Sequence, residues 1–132
     1  MTPTELVRSL YEDCLNPRRL DRLPDYLSDG FIGSNGEQGP AGFRQTIERM
    51  VGAFPDLRFE IEDLFGVGEK ACVRWRFEAA QLGPLSGFAP TGKVAVQQGI
   101  AIYEADRGKL TRAWLQVDRL GVLMQIGAVK LG

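Results

Sequence analysis

Apolar residues near the amino terminus return at helical spacing, with Leu6, Val7, Leu10, Tyr11, Cys14 and Leu15 on one face. Thr2 is placed to cap this helix, Pro3 suits its first position, and Glu5 stands where a capping box needs a carboxylate. Asn16-Pro17 predicts its end. Leu20, Leu23, Tyr26 and Leu27 predict a short second helix despite Pro24, and the stretch from Gly30 to Gly42 reads as loop. A third helix is expected from about Pro40 to Phe54, with Phe43, Ile47, Met50, Val51 and Phe54 on its apolar face and Pro55 closing it.

Beyond Pro55 the period drops to about two, the signature of strands. Leu57, Phe59 and Ile61 alternate with Arg58, Glu60 and Glu62. After a turn at Gly66-Val67-Gly68-Glu69, Ala71, Val73, Trp75 and Phe77 alternate with Cys72, Arg74, Arg76 and Glu78. A loop carrying Gly83-Pro84 and Pro90-Thr91-Gly92 leads into a strand from Lys93 to Ala105, a turn at Asp106-Arg107-Gly108, and a return strand from Lys109 to Asp118. Leu120, Val122, Leu123, Met124 and Ile126 predict a short closing helix or turn. Helices followed by a run of antiparallel strands is the α+β pattern, and a sheet curved around those helices can enclose an apolar pocket. Phe43, Ile47, Val73, Trp75 and Phe77 are the expected core between the layers. No repeat or linker divides the chain, so residues 1–132 read as one domain.

A hydrophobic content of 44% with 25% charged residues supports a packed core rather than disorder. Sixteen Lys and Arg against seventeen Asp and Glu leave a net charge of −1, which argues against a dedicated nucleic-acid binder. No apolar run approaches the roughly eighteen residues of a membrane span, so no membrane partner is expected. Met1-Thr2-Pro3-Thr4-Glu5 lacks the basic and apolar regions of a secretory signal, which makes the cytoplasm the expected compartment. Cys14 and Cys72 form no CxxC pair and read as buried, inert thiols. Neither a phosphate-binding GxxxxGK[ST] loop nor a calcium loop or transition-metal cluster is present, so no metal site is expected. One count narrows the chemistry further, because the chain has no histidine. Ser-His-Asp and Cys-His catalysis, His-ligated zinc and an imidazole base are therefore excluded. Any proton transfer must use a carboxylate, Tyr, Lys, Cys or water.

The segment Phe54-Pro55-Asp56-Leu57-Arg58-Phe59-Glu60-Ile61-Glu62-Asp63-Leu64-Phe65 resembles one common in SnoaL-like polyketide cyclases and predicted ester cyclases. Val73-Arg74-Trp75, the loop from Gly83 to Lys93, Gly99-Ile100-Ala101-Ile102-Tyr103 and, most strongly, the run from Gly108 to Gly127 extend the resemblance over nearly the whole chain. It implies the cone-shaped α+β fold of the nuclear transport factor 2 superfamily. In that fold about three amino-terminal helices pack into the concave face of a curved, mostly antiparallel sheet. It also implies a small hydrophobic ligand in an internal pocket, no cofactor, a homodimer, and an Asp on the last strand acting as general acid/base in aldol-type ring closure. Asp118 is the matching position, four residues after Trp114. That spacing along a strand places Trp114, Gln116 and Asp118 on one face. Two places where relatives usually carry His hold Ala113 and Ser34 here, and Asn35 matches a common family Asn. Asn35, Gln98 or Tyr11 could then supply the hydrogen bonds to a substrate carbonyl.

Each site residue also has a plainer reading. Asp118 can cap the closing helix, Trp75 and Tyr11 can be packing, Asn35 can serve a turn, and Arg74 and Arg76 can line an outer sheet surface. Three functions therefore stay open. The first is a cofactor-independent cyclase or isomerase acting on a hydrophobic carbonyl compound through Asp118. The second is a non-catalytic binding or protein-interaction module, and the third is a carboxylate-based hydrolase of the epoxide-opening type.

Where relatives commonly have Arg and Glu on the last hairpin, this chain has Glu104 and Arg112, a swap that predicts a directly paired position. That register expects a three-residue loop, Arg107-Gly108-Lys109, and pairs Ile102 with Trp114, Ile100 with Gln116, and Gln98 with Asp118. A two-residue loop would pair Glu104 with Thr111 and set Gln97 opposite Asp118.

Overall fold

The computed structural model describes residues 1–131. Helix α1 (Pro3–Ser9) has the expected capping box between Thr2 and Glu5. It then widens into a π-helical segment, Leu10–Leu15, closed by the Asn16 amide donating to the Tyr11 carbonyl at 2.9 Å. The extra residue in this turn keeps Leu10, Tyr11, Cys14 and Leu15 buried on one side. Leu20–Asp25 is a 3₁₀ helix, a form that accommodates Pro24 where a full α-helix would not. Strand β1 (Leu27–Ile32) occupies part of the stretch expected to be loop. Asp29 and Gly30 hid it, since both are poor strand formers, and only its Leu27 and Phe31 are buried. Helix α2 runs Gly39–Ala53 and presses Phe43 edge-on against Phe31, ring centroids 5.7 Å apart.

Four further strands follow: β2 (Glu60–Val67), β3 (Lys70–Ala80), β4 (Val94–Asp106) and β5 (Lys109–Val117). The sheet order is β1-β5-β4-β3-β2, with β1 parallel to β5 and the other pairs antiparallel. Helix α3 (Arg119–Gln125) closes the chain over β4. Strand β2 begins later than the alternation predicts because Asn16 intervenes. Its side-chain amide accepts from and donates to the Phe59 backbone at 2.8 and 2.9 Å, taking the place of a neighbouring strand. The helices lie on the inner face of this open, curved sheet, which is the α+β architecture the sequence predicts. Among the described residues no helix is long and apolar enough to cross a membrane.

Phe43, Ile47, Val73, Trp75 and Phe77 are all buried, as expected. Phe59 stands edge-on to Trp75 at 4.9 Å, and Trp75 stacks on Phe77 at 6.1 Å. Aromatic pairs of this kind contribute roughly 0.5–1.5 kcal/mol beyond their burial.

The β4–β5 hairpin carries a correction. Arg107 (φ 51°) and Gly108 (φ 76°) form a two-residue turn, since Asp106 pairs with Lys109. Positive φ at both central positions is what the twist of a tight hairpin requires. The three-residue loop is therefore not formed. The expected pairs Glu104 with Arg112, Ile102 with Trp114 and Ile100 with Gln116 nevertheless occur. A bulge at Thr111 reconciles the two, because Ala105 pairs with Leu110 while Glu104 pairs with Arg112. The swapped charges do not bond each other: Glu104 reaches Lys70 at 3.8 Å, and the Arg112 guanidinium lies 5.2 Å from the Trp114 ring centroid.

Gly99 lies opposite Trp75, and a Cβ there would sit 2.4 Å from the indole. The ring has no retreat between Phe59 and Phe77. Gly99→Ala is therefore expected to destabilise the fold by about 1–3 kcal/mol, the usual range for overpacking, with the midpoint shift read from urea denaturation.

Candidate functional site

A cavity of 630 Å³ opens between the sheet, the carboxy-terminal half of α2 and helix α3. Trp75 and Phe77 of β3 form its inner wall, with Gln97 of β4 and Leu115 and Val117 of β5 beside them. Helix α2 contributes Thr46, Arg49 and Met50, and Phe54 follows at its end. Arg119, Val122 and Leu123 come from α3. The bulge at Thr111 places these β5 residues, since beyond it Ala113, Leu115 and Val117 face inward while Arg112, Trp114 and Gln116 face out.

A small hairpin covers one side. Leu85 and Phe88 exchange backbone hydrogen bonds across Ser86-Gly87, and Pro84, Leu85 and Ser86 face the cavity. Gln81, fully buried, anchors this loop: its amide donates to the Gly83 and Ala89 carbonyls, and its oxygen accepts from the Thr91 amide and hydroxyl. Gly83 packs so tightly on the Gly52 carbonyl that a Cβ there would overlap it.

Of the residues singled out from sequence, Asn35 lines the cavity. Tyr11 lies deeper, outside the lining, with its hydroxyl 2.8 Å from that of Tyr103. Trp114 and Gln116 do share a face, but it is the outer face of the sheet, and Trp114 is 41% exposed there. Gln98 is also on that outer face, and Gln97 takes the inward position. The expectation that Trp114, Gln116 and Gln98 line the pocket is therefore corrected by the direction of the strands. Asp118 stands between the lining residues Val117 and Arg119 but does not itself line the cavity. The β4–β5 ladder ends at Gly99 and Val117, so Gln98 and Asp118 are not a ladder pair. The Asp118 carboxylate caps α3, its Oδ1 accepting from the Gly121 amide at 2.8 Å.

Several cavity groups escaped the sequence reading. Thr46 donates to Glu37 Oε2 at 2.9 Å and accepts from Arg49 at 3.2 Å. Glu37 Oε1 accepts from the Asn35 amide at 2.8 Å, which places a carboxylate just behind two lining residues. Arg49 did carry a signal: Arg44 has Glu48 one turn ahead, whereas Arg49 has Gln45 and Ala53 at the equivalent positions. The lining itself contains no carboxylate, thiol or phenol. It offers an aromatic wall, aliphatic side chains, two hydroxyls, two neutral side-chain amides and two guanidinium groups.

The sequence model of the SnoaL-like polyketide cyclase family matches residues 5–126. The chain belongs to the SnoaL-like polyketide cyclase family. A SnoaL-like polyketide cyclase from Agrobacterium tumefaciens superposes with a TM-score of 0.83 at 23% identity, covering 96% of this chain and 99% of that one. TsrD from Streptomyces laurentii superposes with a TM-score of 0.78 at 30% identity, covering 95% of this chain and 92% of that one. The search of curated proteins returns no match. Membership of the SnoaL-like family supports a function of the cyclase or isomerase type.

The aromatic floor of this SnoaL-like domain also bears on its pH range. Burial pushes the Tyr103 hydroxyl up to about 12, although the bond to Tyr11 opposes the rise. Burial, reinforced by Tyr103, raises Tyr11 well above the ordinary phenol value, and the nearby Trp75 indole opposes that rise. Both phenols hold their protons more tightly folded than unfolded, so stability is retained below about pH 10 and falls as pH rises through the folded values. Phenolate absorbance from Tyr11 and Tyr103 is expected only as the chain unfolds, which parallel ultraviolet and circular dichroism titrations would check. Ionisation of both in a still-folded chain would contradict it.

Proposed function

We propose that this protein is a cyclase- or isomerase-type enzyme that binds a hydrophobic, carbonyl-bearing, polyketide-like small molecule in the 630 Å³ cavity, with Asp118 as general acid/base. The observation that carries the reading is the cavity itself, whose Trp75, Phe77 and Phe54 walls suit a flat ring system. Asn35, Gln97 and Ser86 are the neutral groups available to a carbonyl there. Asp118 sits at the junction of two lining residues, and its Oδ2 has no donor among the described residues. Rotation away from the Gly121 amide would bring the carboxylate to the rim. There it would take a proton from the carbon next to the substrate carbonyl and return it to the oxygen formed on ring closure or isomerisation.

The absence of an acid or base from the lining favours a second reading, that of a binding module without turnover. One substitution separates the two, because Asn caps a helix about as well as Asp but cannot transfer the proton. Enolisation is followed by deuterium exchange into the methyl group of 2-acetonaphthone. Asp118→Asn is expected to slow the protein-catalysed exchange roughly 10²–10⁴-fold with an unchanged melting temperature. Asp118→Ala should lower both. Exchange at the native rate in Asp118→Asn would remove Asp118 from the chemistry, and binding without any exchange in the native protein would establish the binding module.

The same reading includes a homodimer. On the outer face, Phe65, Cys72, Ile102 and Trp114 are paired in one row across four strands. Phe65, Ile102 and Ile100 are 61%, 42% and 52% exposed, which leaves an apolar stripe on the surface. Most of its neighbouring charges are matched within the sheet, Arg74 with Glu62 and Asp63, Arg76 with Glu60, and Lys70 with Glu104, while Arg112 lies over the Trp114 ring. A stripe with little net charge suits a second copy of itself related by a two-fold axis better than a charged partner. Light scattering should show a dimer at micromolar concentration, and Ile102→Glu should give a folded monomer. A native monomer would remove this part of the proposal.

A further inference from the structure

We propose that the ligand is an amphiphilic acid, with a flat apolar body on Trp75 and Phe77 and an anionic group held at the cavity rim by Arg49 and Arg119. The inference rests on the cavity being a small-molecule site and adds the charge of what it takes.

Two guanidinium groups line one cavity, from α2 and from the start of α3, and no Asp or Glu lines it. The imbalance is local, since the chain as a whole carries a net charge of −1. Five other arginines do pair with a carboxylate: Arg8 with Glu12, Arg44 with Glu48, Arg74 with Glu62 and Asp63, Arg76 with Glu60, and Arg107 with Asp106. Neither Arg49 nor Arg119 has a carboxylate within 4 Å among the described residues.

Two carboxylates stand close to lining residues, and neither bonds a cavity arginine. Glu37 accepts the Asn35 backbone amide with one oxygen and the Thr46 hydroxyl with the other, while Asp118 accepts the Gly121 amide through Oδ1 alone. Arg49 makes one side-chain hydrogen bond, from Nη2 to Thr46 Oγ1, which steadies it without neutralising it.

Both arginines are exposed residues, so they stand at the mouth, whereas the aromatic wall is buried. The arrangement grades from apolar inside to cationic outside, which is the polarity of an aromatic or polyketide-like carboxylic acid inserted ring first. Guanidinium groups match a carboxylate in plane and can bind it with paired hydrogen bonds.

Calorimetric titration of the full chain with anthracene-2-carboxylate and with anthracene-2-carboxamide tests the idea. The two probes share an apolar body and differ in charge. The acid is expected to bind at least about tenfold more tightly than the amide, with the difference shrinking as salt is raised. Arg49→Gln and Arg119→Gln should each weaken the acid and leave the amide unchanged, while Arg49→Lys should keep part of the preference. Thermal melts should show that these exposed substitutions leave the fold intact. Equal affinity for acid and amide would overturn the proposal while leaving the cavity reading in place. So would an acid preference that survives in the double variant Arg49→Gln/Arg119→Gln. If neither probe binds, the small-molecule reading of the cavity falls, and the acid proposal falls with it.

Discussion

One extra residue in β5 decides which side chains meet the cavity. Thr111 bulges out between two otherwise regular stretches of pairing, and every residue after it changes face relative to an unbroken ladder from the turn. Because strand side chains alternate, this single insertion turns Leu115 and Val117 toward the helices and Trp114 and Gln116 to the outside. The Thr111 hydroxyl donates to the Glu104 carbonyl at 3.2 Å, which ties the irregular position back to the neighbouring strand. The cavity wall, the outer apolar stripe and the position of Asp118 at the end of the strand all follow from that parity.

Behind the cavity, an aromatic layer separates a dry core from the ligand space. Trp75 lies over Gly99, Phe59 meets it edge-on, and Tyr11 stands edge-on to Phe59 at 5.3 Å. The π-helical segment brings Tyr11 into this layer, where its hydroxyl finds Tyr103. A phenol buried without such a partner would lose roughly 1–3 kcal/mol of stability, and here each hydroxyl satisfies the other. The layer is rigid. It therefore offers a ligand a preformed flat surface, while the polar variety comes from the loops and helix ends around the rim.

That division explains the composition of the site. Asn35 comes from the turn before α2, Ser86 from the small hairpin, and Arg119 from the β5–α3 junction. Connections supply part of the polar lining, and α2 and β4 add Thr46, Arg49 and Gln97. The Ser34 hydroxyl bonds the Leu115 backbone at 2.9 Å and holds the turn against β5.

Local pattern determined much of this protein. The capping box of α1, the burial of Val73, Trp75 and Phe77 on β3 and the limits of α2 were legible because each depends on nearby residues or on a period of two or 3.6. Strand β1 was not, since its sequence is poor in strand formers and its pairing with β5 is supplied by residues far along the chain. The facing of Trp114, Gln116 and Gln98 was not legible either. Both faces of β5 carry apolar residues, so alternation says that they share a side without saying which. That choice was made by the Thr111 bulge, together with the helices that cover only one face of the sheet. Arg49 and Arg119 lie 70 positions apart and meet at one cavity because α2, packed on β1, and α3, packed on β4, both border it, a proximity that only the tertiary structure could decide.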